Sequence, residues 1–521
     1  MSALTVPFLM PRVEEVVPDF AMLKDRLTGS SVVEERYTAT QVPSSGDTYT
    51  VGGSGTRLMI IRVANQNDYI DTSTMVLNFF LKANQTSTLV ALDDHVFSIV
   101  DTINVKVGGQ TVEVLNNVGH LVNALVQGSM PSNYYQRNGH FEGLYIYDKS
   151  LSGPSLSAPV TTTAYTPAST ADVTNSDIIN SRFGTGNQWL ENGRYYAVPL
   201  TLLGLCRLPT LFAARNFQDV TIELLFRTQV AGCTWVNDPS VTTTPPATLA
   251  LNISDVTLTY DCCRMSADYY ALMDNELKMP NGSGVAYAID TYQVQPASIA
   301  APAAAAANTA GSVGSLTRIV VAKGTRFLKG VYGVSKPTLA ETSYYWRNNS
   351  SSGNFCFSSY QVIINSKRYP QLQIQSSAAA FQELQKAYNQ LGSVAGGAQI
   401  NWYNYVGQAI ARANGTTNTS LQDAAATSTK DGTLLGACPG DEAMFQNGIN
   451  LEQFLTNQPD AGGINTSTSG YQIAIEIQNS GQVGANGVKA VTMAAAALTH
   501  YVILHFTRVL TLKAGAVEVL D

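Results

Sequence analysis

This chain of 521 residues is poor in charge: only 13% of it is Asp, Glu, Lys or Arg. A surface built from so few charges is mostly neutral and polar, and it is weakly protected against association. Basic runs are missing at both ends, and 31 Lys and Arg against 38 Asp and Glu leave a formal net charge of -7. That balance argues against an arm that neutralises phosphates, so direct sequence-specific nucleic-acid binding is not expected. The six cysteines, Cys206, Cys233, Cys262, Cys263, Cys356 and Cys438, form no CxxC pair and follow no metal-ligand spacing. Buried free thiols are the expectation, and Cys262 and Cys263, adjacent in a strand, point to opposite faces and do not bridge. No run of about 18 apolar residues occurs. The first residues, MSALTVPFLMPRVEEVVPDF, lack a basic region followed by an apolar core and a cleavage site. Synthesis and residence in a reducing cytosol or nucleus are therefore expected, which makes the sequons at Asn84 and Asn414 incidental.

Catalytic signatures are equally scarce. There is no GxSxG elbow, no GxxxxGK[ST] loop and no GxGxxG behind a strand; Gly52 to Gly55 lies in a polar stretch with no helix after it. The five histidines are His95, His120, His140, His500 and His505. The last two, five apart in a predicted strand, face opposite ways and cannot clasp one ion. Asp93, Asp94 and His95 form the one compact acidic and imidazole cluster, and a solvated turn is preferred there over a divalent-metal site. A carboxylate pair for glycoside chemistry has no support from spacing. The tyrosine groups at Tyr134 and Tyr135, Tyr195 and Tyr196, Tyr269 and Tyr270, and Tyr344 and Tyr345 beside Trp346 suit interfaces better than ligand stacking. No catalytic, cofactor-binding or metal-ligating residue is assigned, no cofactor is expected, and the chain is read as a non-enzyme.

What is present is a repeated grammar. In residues 101–127, Val105 and Val107 alternate before Gly108 and Gly109, Val112 and Val114 alternate after them, and Leu121, Val122 and Leu125 then fall at helical spacing. That is a hairpin with one buried face followed by a helix. Residues 358–391 repeat it: Val362 and Ile364, a turn at Asn365 and Ser366, then Leu372 and Ile374. Ser377 follows as cap for a helix carrying Phe381, Leu384, Tyr388 and Leu391, ended by Gly392. Low-complexity loops follow both helices, at about 150–177 and 413–432, and each half then has an alternating strand with a lone glutamate, Glu223 or Glu476. In the first of these strands Val220, Ile222, Leu224 and Phe226 form the core face.

Further strands are predicted at 58–63, 74–81, 194–200, 254–260, 285–294, 316–321, 327–334 and 501–506, with a terminal hairpin over 509–519. A helix over 266–279 is capped by Ser266 and stopped by Pro280, and an Ala/Pro-rich loop is expected over 295–315. The predicted class is all-β: two tandem jelly-roll β-sandwiches with short helices at corners and long surface loops. The expected divisions are an extended N-terminal arm at 1–40, a first roll at 41–280 and a second at 281–521.

From about Thr40 onward this arrangement resembles the double jelly-roll major capsid proteins of icosahedral double-stranded DNA viruses. That lineage takes in adenoviruses, tailless phages, virophages, polinton-like viruses and large DNA viruses. The segment Ile363 to Pro370, IINSKRYP, is similar to the strand-turn-strand element of the second roll in virophage and polinton-like capsid proteins, and Tyr501 to Val519 echoes their C-terminal strands. The resemblance implies a homotrimer whose six rolls form a pseudo-hexameric capsomer tiling the virion shell. Its implied partners are other copies of itself, neighbouring capsomers, penton and minor capsid proteins, and an inner membrane reached through other proteins. Two alternatives stay open: a viral spike or receptor-binding β-protein, and a jelly-roll carbohydrate-active protein.

Overall fold

The computed structural model describes residues 33–63, 67–84, 89–92, 95–129, 141–142, 190, 193–217, 219–237, 249–278, 285–299, 316–321, 323–337, 357–375, 377–388, 400, 405, 445–452, 463–467, 471–479, 498–513 and 516–520. The loops expected at 150–177 and 413–432, Leu391 and Gly392 lie outside them.

Strands β1 (Val33–Gln41), β2 (Tyr49–Val51), β3 (Leu58–Val63), β4 (Tyr69–Ala83), β5 (Leu89–Leu92), β6 (Val100–Val107), β7 (Gln110–Asn116), β8 (Arg194–Pro199), β9 (Val220–Phe226), β10 (Thr234–Asn237) and β11 (Leu251–Met265) make the first half. They alternate with helices α1 (Val118–Ser129), α2 (Ala214–Phe217) and α3 (Ala267–Lys278). The second half holds β12 (Val285–Ile299), β13 (Leu316–Val321), β14 (Leu328–Pro337), β15 (Phe357–Ile364), β16 (Lys367–Ile374), α4 (Ser377–Ala387), β17 (Asn447–Asn450), β18 (Ile473–Asn479), β19 (Leu498–Lys513) and β20 (Ala516–Leu520).

The first half pairs its strands as β1-β11-β4-β8, with β2 also on β11, and as β3-β9-β6-β7; β5 and β10 form a small separate sheet. The second pairs them as β12-β19-β14-β17, with β20 on β19, and as β13-β18-β15-β16. Counting the eight principal strands of each half in chain order gives 1-8-3-6 and 2-7-4-5 both times. Two four-stranded antiparallel sheets with that interleaved order are a jelly roll, and the chain contains two of them.

Alternation drives each sandwich. Val220, Ile222, Leu224 and Phe226 of β9 are all buried, and Thr221, Glu223 and Leu225 between them are half-buried. Both organising hairpins turn through two left-handed residues, Gly108 and Gly109 at φ 55° and 80°, and Asn365 and Ser366 at 48° and 65°. Such two-residue turns match the twist of the strands they join. Ser266 caps α3 by accepting the Tyr269 N–H at 3.4 Å, and α1 buries Val118, Leu121, Val122 and Leu125.

Three departures share a physical cause, irregularity at a sheet edge. In β7 the register slips by one residue opposite Val105 and Lys106, so Val112 is a bulge and the core side passes to Leu115, with Val114 only half-buried. In β16 the pairing jumps from Val362↔Tyr369 to Tyr360↔Ile374, which carries Leu372 out of the expected buried face to 84% exposure. And β12 continues through Pro296 to Ile299, where a loop was expected from 295; β12 is an edge strand, so a residue without an N–H breaks no second ladder. Val33–Gln41, in the stretch read as an arm, is a strand paired along β11.

The two turn glycines separate strain from packing. A Cβ on Gly109 meets nothing within 4 Å, whereas one on Gly108 lies 2.9 Å from Val517 Cγ2 and 3.2 Å from the Phe217 carbonyl oxygen. Gly109→Ala is expected to lower unfolding stability by about 1 kcal/mol, the cost of a left-handed alanine, and Gly108→Ala by clearly more, as read from urea titrations.

Candidate functional site

Among the described residues no three His, Cys, Asp or Glu side chains gather at a metal-binding distance. His95 is buried, accepts the Phe97 N–H at Nδ1 (3.0 Å) and holds Nε2 3.6 Å from a Glu142 carboxylate oxygen, so it fixes a short helical turn; Asp93 and Asp94 lie outside the described residues, as does His140. Cys206, Cys233, Cys262 and Cys263 are buried and form no disulfide; Cys356 and Cys438 are not described. Glu223 holds the Lys106 ammonium at 2.6 Å across two strands. Of the tyrosine groups, Tyr196 and Tyr269 are core residues, Tyr195 is exposed with its ring tilted against that of Phe80, and Tyr270 donates to Asp68. The groups at 134–135 and 344–346 are not described.

Polar chemistry concentrates instead where the two sandwiches meet. β7 packs against β12 and β20, and its Glu113, which points away from its own core, has no exposed surface. Both Glu113 carboxylate oxygens accept the Gly204 N–H, at 3.0 and 3.1 Å, and Oε1 also accepts the Thr291 hydroxyl at 2.7 Å. Burial pushes the carboxyl pKa above the ordinary carboxylate range, against the opposing pull of those hydrogen bonds and of Arg207 and Arg508. Gly204 is required by proximity: a Cβ there would sit 2.1 Å from the Asp290 carbonyl oxygen.

Around this carboxylate the halves exchange further contacts. Arg207 donates to the Asp290 carbonyl oxygen at 2.6 Å and to the Tyr292 hydroxyl at 3.0 Å. The Asp290 carboxylate accepts from Lys329 (2.7 Å) and Thr507 (2.6 Å). Burial raises its pKa, but Lys329, His505 and these hydrogen bonds outweigh burial and hold it below the usual value. The Tyr287 hydroxyl accepts the Ala213 N–H and donates to the Leu211 carbonyl, and its ring packs with Phe212 and Phe217. Arg508 donates to the Val112 carbonyl at 2.7 Å, Tyr388 reaches the Ala124 carbonyl at 2.7 Å, and the His120 and Tyr501 rings lie 4.1 Å apart. Among the described residues these contacts lock two folded units together.

Sequence reasoning missed Glu113, Gly204, Arg207, Asp290 and Thr291. Glu113 reads as an ordinary outward position of an alternating strand, and no local pattern reveals that a second sandwich covers it.

Burial at and beside the seam also determines its response to acid. Burial lowers His505 to about 4 and His500 to about 3, and burial, with Lys336 and Arg227, puts His120 well below its usual value. These histidines are neutral when folded and take up protons on unfolding, so their contribution is lost as pH falls from about 6.5 toward their folded values. Glu113 works oppositely, its raised pKa favouring the folded state as pH falls toward the ordinary carboxylate range. Three histidines outweigh one carboxyl. Unfolding free energy is expected to drop between pH 7 and 5, each histidine contributing about 1.4 kcal/mol per pH unit below 6.5, and His505→Gln should flatten the slope in urea titrations across that range.

No protein-family model matches the sequence, and no curated protein matches it in sequence. Solved structures do match in fold. A chain of the Sputnik virophage structure determined by cryo-EM is 11% identical, with 94% of this chain and 89% of that chain covered at a TM-score of 0.51. The Faustovirus major capsid protein is 9% identical, with 94% and 92% covered at 0.50. At such identities the likeness is one of fold, and it extends over both jelly rolls and the order in which they follow each other.

Proposed function

We propose that this chain is a major capsid protein, a structural subunit that trimerises into pseudo-hexameric capsomers tiling the shell of an icosahedral double-stranded DNA virus. The observation that carries this reading is the pair of jelly rolls with identical strand order, 1-8-3-6 and 2-7-4-5, in one chain. Two like units per chain let a three-fold assembly present a six-fold outline, and closed symmetric assembly is the usual outcome for a self-associating surface. The low charge, 13% of residues, favours close packing among copies. The fold shared with the Faustovirus major capsid protein supports the same reading.

On this proposal the first roll begins with β1 at Val33, inside the stretch expected as an arm at 1–40, and runs to 280, and 281–521 form the second. The partners are other copies, adjoining capsomers, and penton and minor capsid proteins; the location is the virion shell, and an inner membrane is reached through those other proteins. The chain does no chemistry of its own. Its seam favours this role over catalysis, because its polar groups are spent on one another and on backbone, as Glu113 is on Gly204 and Thr291.

Light scattering on the purified chain, with negative-stain images of the same peak, tests the proposal. The expected result is a compact particle of three times 55.8 kDa with a hexagonal outline. A monomer that persists at high protein concentration would overturn it.

A further inference from the structure

The seam inside one chain joins unlike edges. The first sandwich contributes its fifth strand, β7, with the turn at Gly108; the second contributes its first strand, β12, with the terminal strand β20. Each sandwich owns both kinds of edge. The fifth strand of the second sandwich, β16, and the first strand of the first sandwich, β1, are therefore left over at opposite ends of the repeat.

Burial records the difference. β12 buries more than half of its fifteen residues, whereas none of the nine residues of β1 is buried. β7 buries Val112, Glu113 and Leu115, whereas β16 buries only Ile374. On β16 the bulge presents Leu372 at 84% exposure, the highest of any large hydrophobic residue among the described ones. Just beyond β1, Val42 is 58% exposed.

The two leftover edges also differ in charge. β16 begins with exposed Lys367 and Arg368 and contains no acidic residue. The other edge gathers Glu34 and Glu35 on β1, Asp68 and Asp71 at β4, Asp261 on β11, and Asp268 and Asp274 on α3. Arg36, Arg264 and Arg215 answer part of that charge, through Asp71 and Asp261, Glu35 and Asp68, and Asp274 respectively. With Glu276 and Lys278, which also lie on α3, eight acids against four bases leave the edge negative, opposite in sign to the start of β16.

We propose that these leftover edges bind each other between copies: β16 of one copy, through Leu372, Lys367 and Arg368, docks on the β1 and α3 edge of the next. The contact repeats between chains the edge pairing that the seam makes within one. Two different patches meet, so the association is head-to-tail, and three copies close it into a ring of six sandwiches. The inference rests on the capsomer reading and names the surface that builds the capsomer.

Four full-length variants test it by sedimentation and light scattering: Leu372→Asp, the pair Lys367→Glu with Arg368→Glu, the pair Glu34→Lys with Asp268→Lys, and the last two pairs combined in one chain. The altered side chains are solvent-facing, so thermal unfolding of each variant should match the wild type at a concentration where both are monomeric. Leu372→Asp and each charge pair alone are expected to weaken trimer formation roughly 30-fold or more, and the combined chain is expected to recover it. Wild-type assembly that Leu372→Asp and the Lys367/Arg368 pair leave unchanged would overturn this surface while the capsomer reading stands. A combined chain that stays as weak as either pair would overturn the edge-to-edge pairing. A wild type that never trimerises would overturn both.

Discussion

A carboxylate taken out of water needs donors, and at Glu113 the donors come from two different places in the chain: the Gly204 N–H in its own sandwich and the Thr291 hydroxyl in the other. An unsatisfied buried carboxylate would cost several kcal/mol, so the seam can close only where those donors arrive together. That requirement fixes the register between β7 and β12 more sharply than apolar contact would, because hydrophobic burial is non-directional. It also explains Gly204, whose missing side chain lets the first sandwich's backbone approach the Asp290 carbonyl. Arg207, Asp290, Lys329 and Thr507 extend the same logic, each charge being answered by a partner before it is buried.

Within each sandwich, much of the architecture was legible because it rests on period-two alternation and turn chemistry. The bounds of β3 and β13 match the expected residues, and Gly108, Gly109, Asn365 and Ser366 form the turns that their sequence demands. The doubled organisation was legible too, since hairpin, helix and glutamate-bearing strand recur in one order. Bulges were not. Nothing local in QTVEVLN announces that Val112 is an extra residue, nor in KRYPQLQI that Leu372 leaves the sheet; both depend on which strand lies opposite. Pro296 misled for a related reason, as a proline ends a central strand but not an edge, and edge position is a property of the assembled sheet. The seam was invisible for the same cause at larger scale: Glu113 and Thr291 are 178 residues apart.

The tandem repeat is symmetric in topology and asymmetric in surroundings. β1 and β12 occupy the same place in their sheets, yet one is covered by the other sandwich and the other faces outward. The sequence of each strand suits its place. β12 carries Tyr287, Ile289, Thr291 and Tyr292, large or uncharged groups that survive burial, while β1 carries Glu34, Glu35 and Arg36, which need solvent or an ionic partner. An exposed edge strand is an invitation to pair with another chain, and charges along β1 prevent indiscriminate pairing while still permitting a partner of opposite sign.

Two kinds of junction with different physics follow from that contrast. Inside the chain covalent continuity supplies the second sandwich at high effective concentration, so the junction can bear the cost of removing Glu113 and Lys329 from water. Between chains no such advantage exists, because association must also overcome lost translational and rotational freedom. A junction there is better served by an exposed leucine and solvated opposite charges, which keep the free chain soluble and steer encounter without burying an unpaired ion. The distribution of charge in this sequence follows that division: Glu113 is buried and satisfied at the seam, and the two free edges carry mostly solvated charge of opposite net sign.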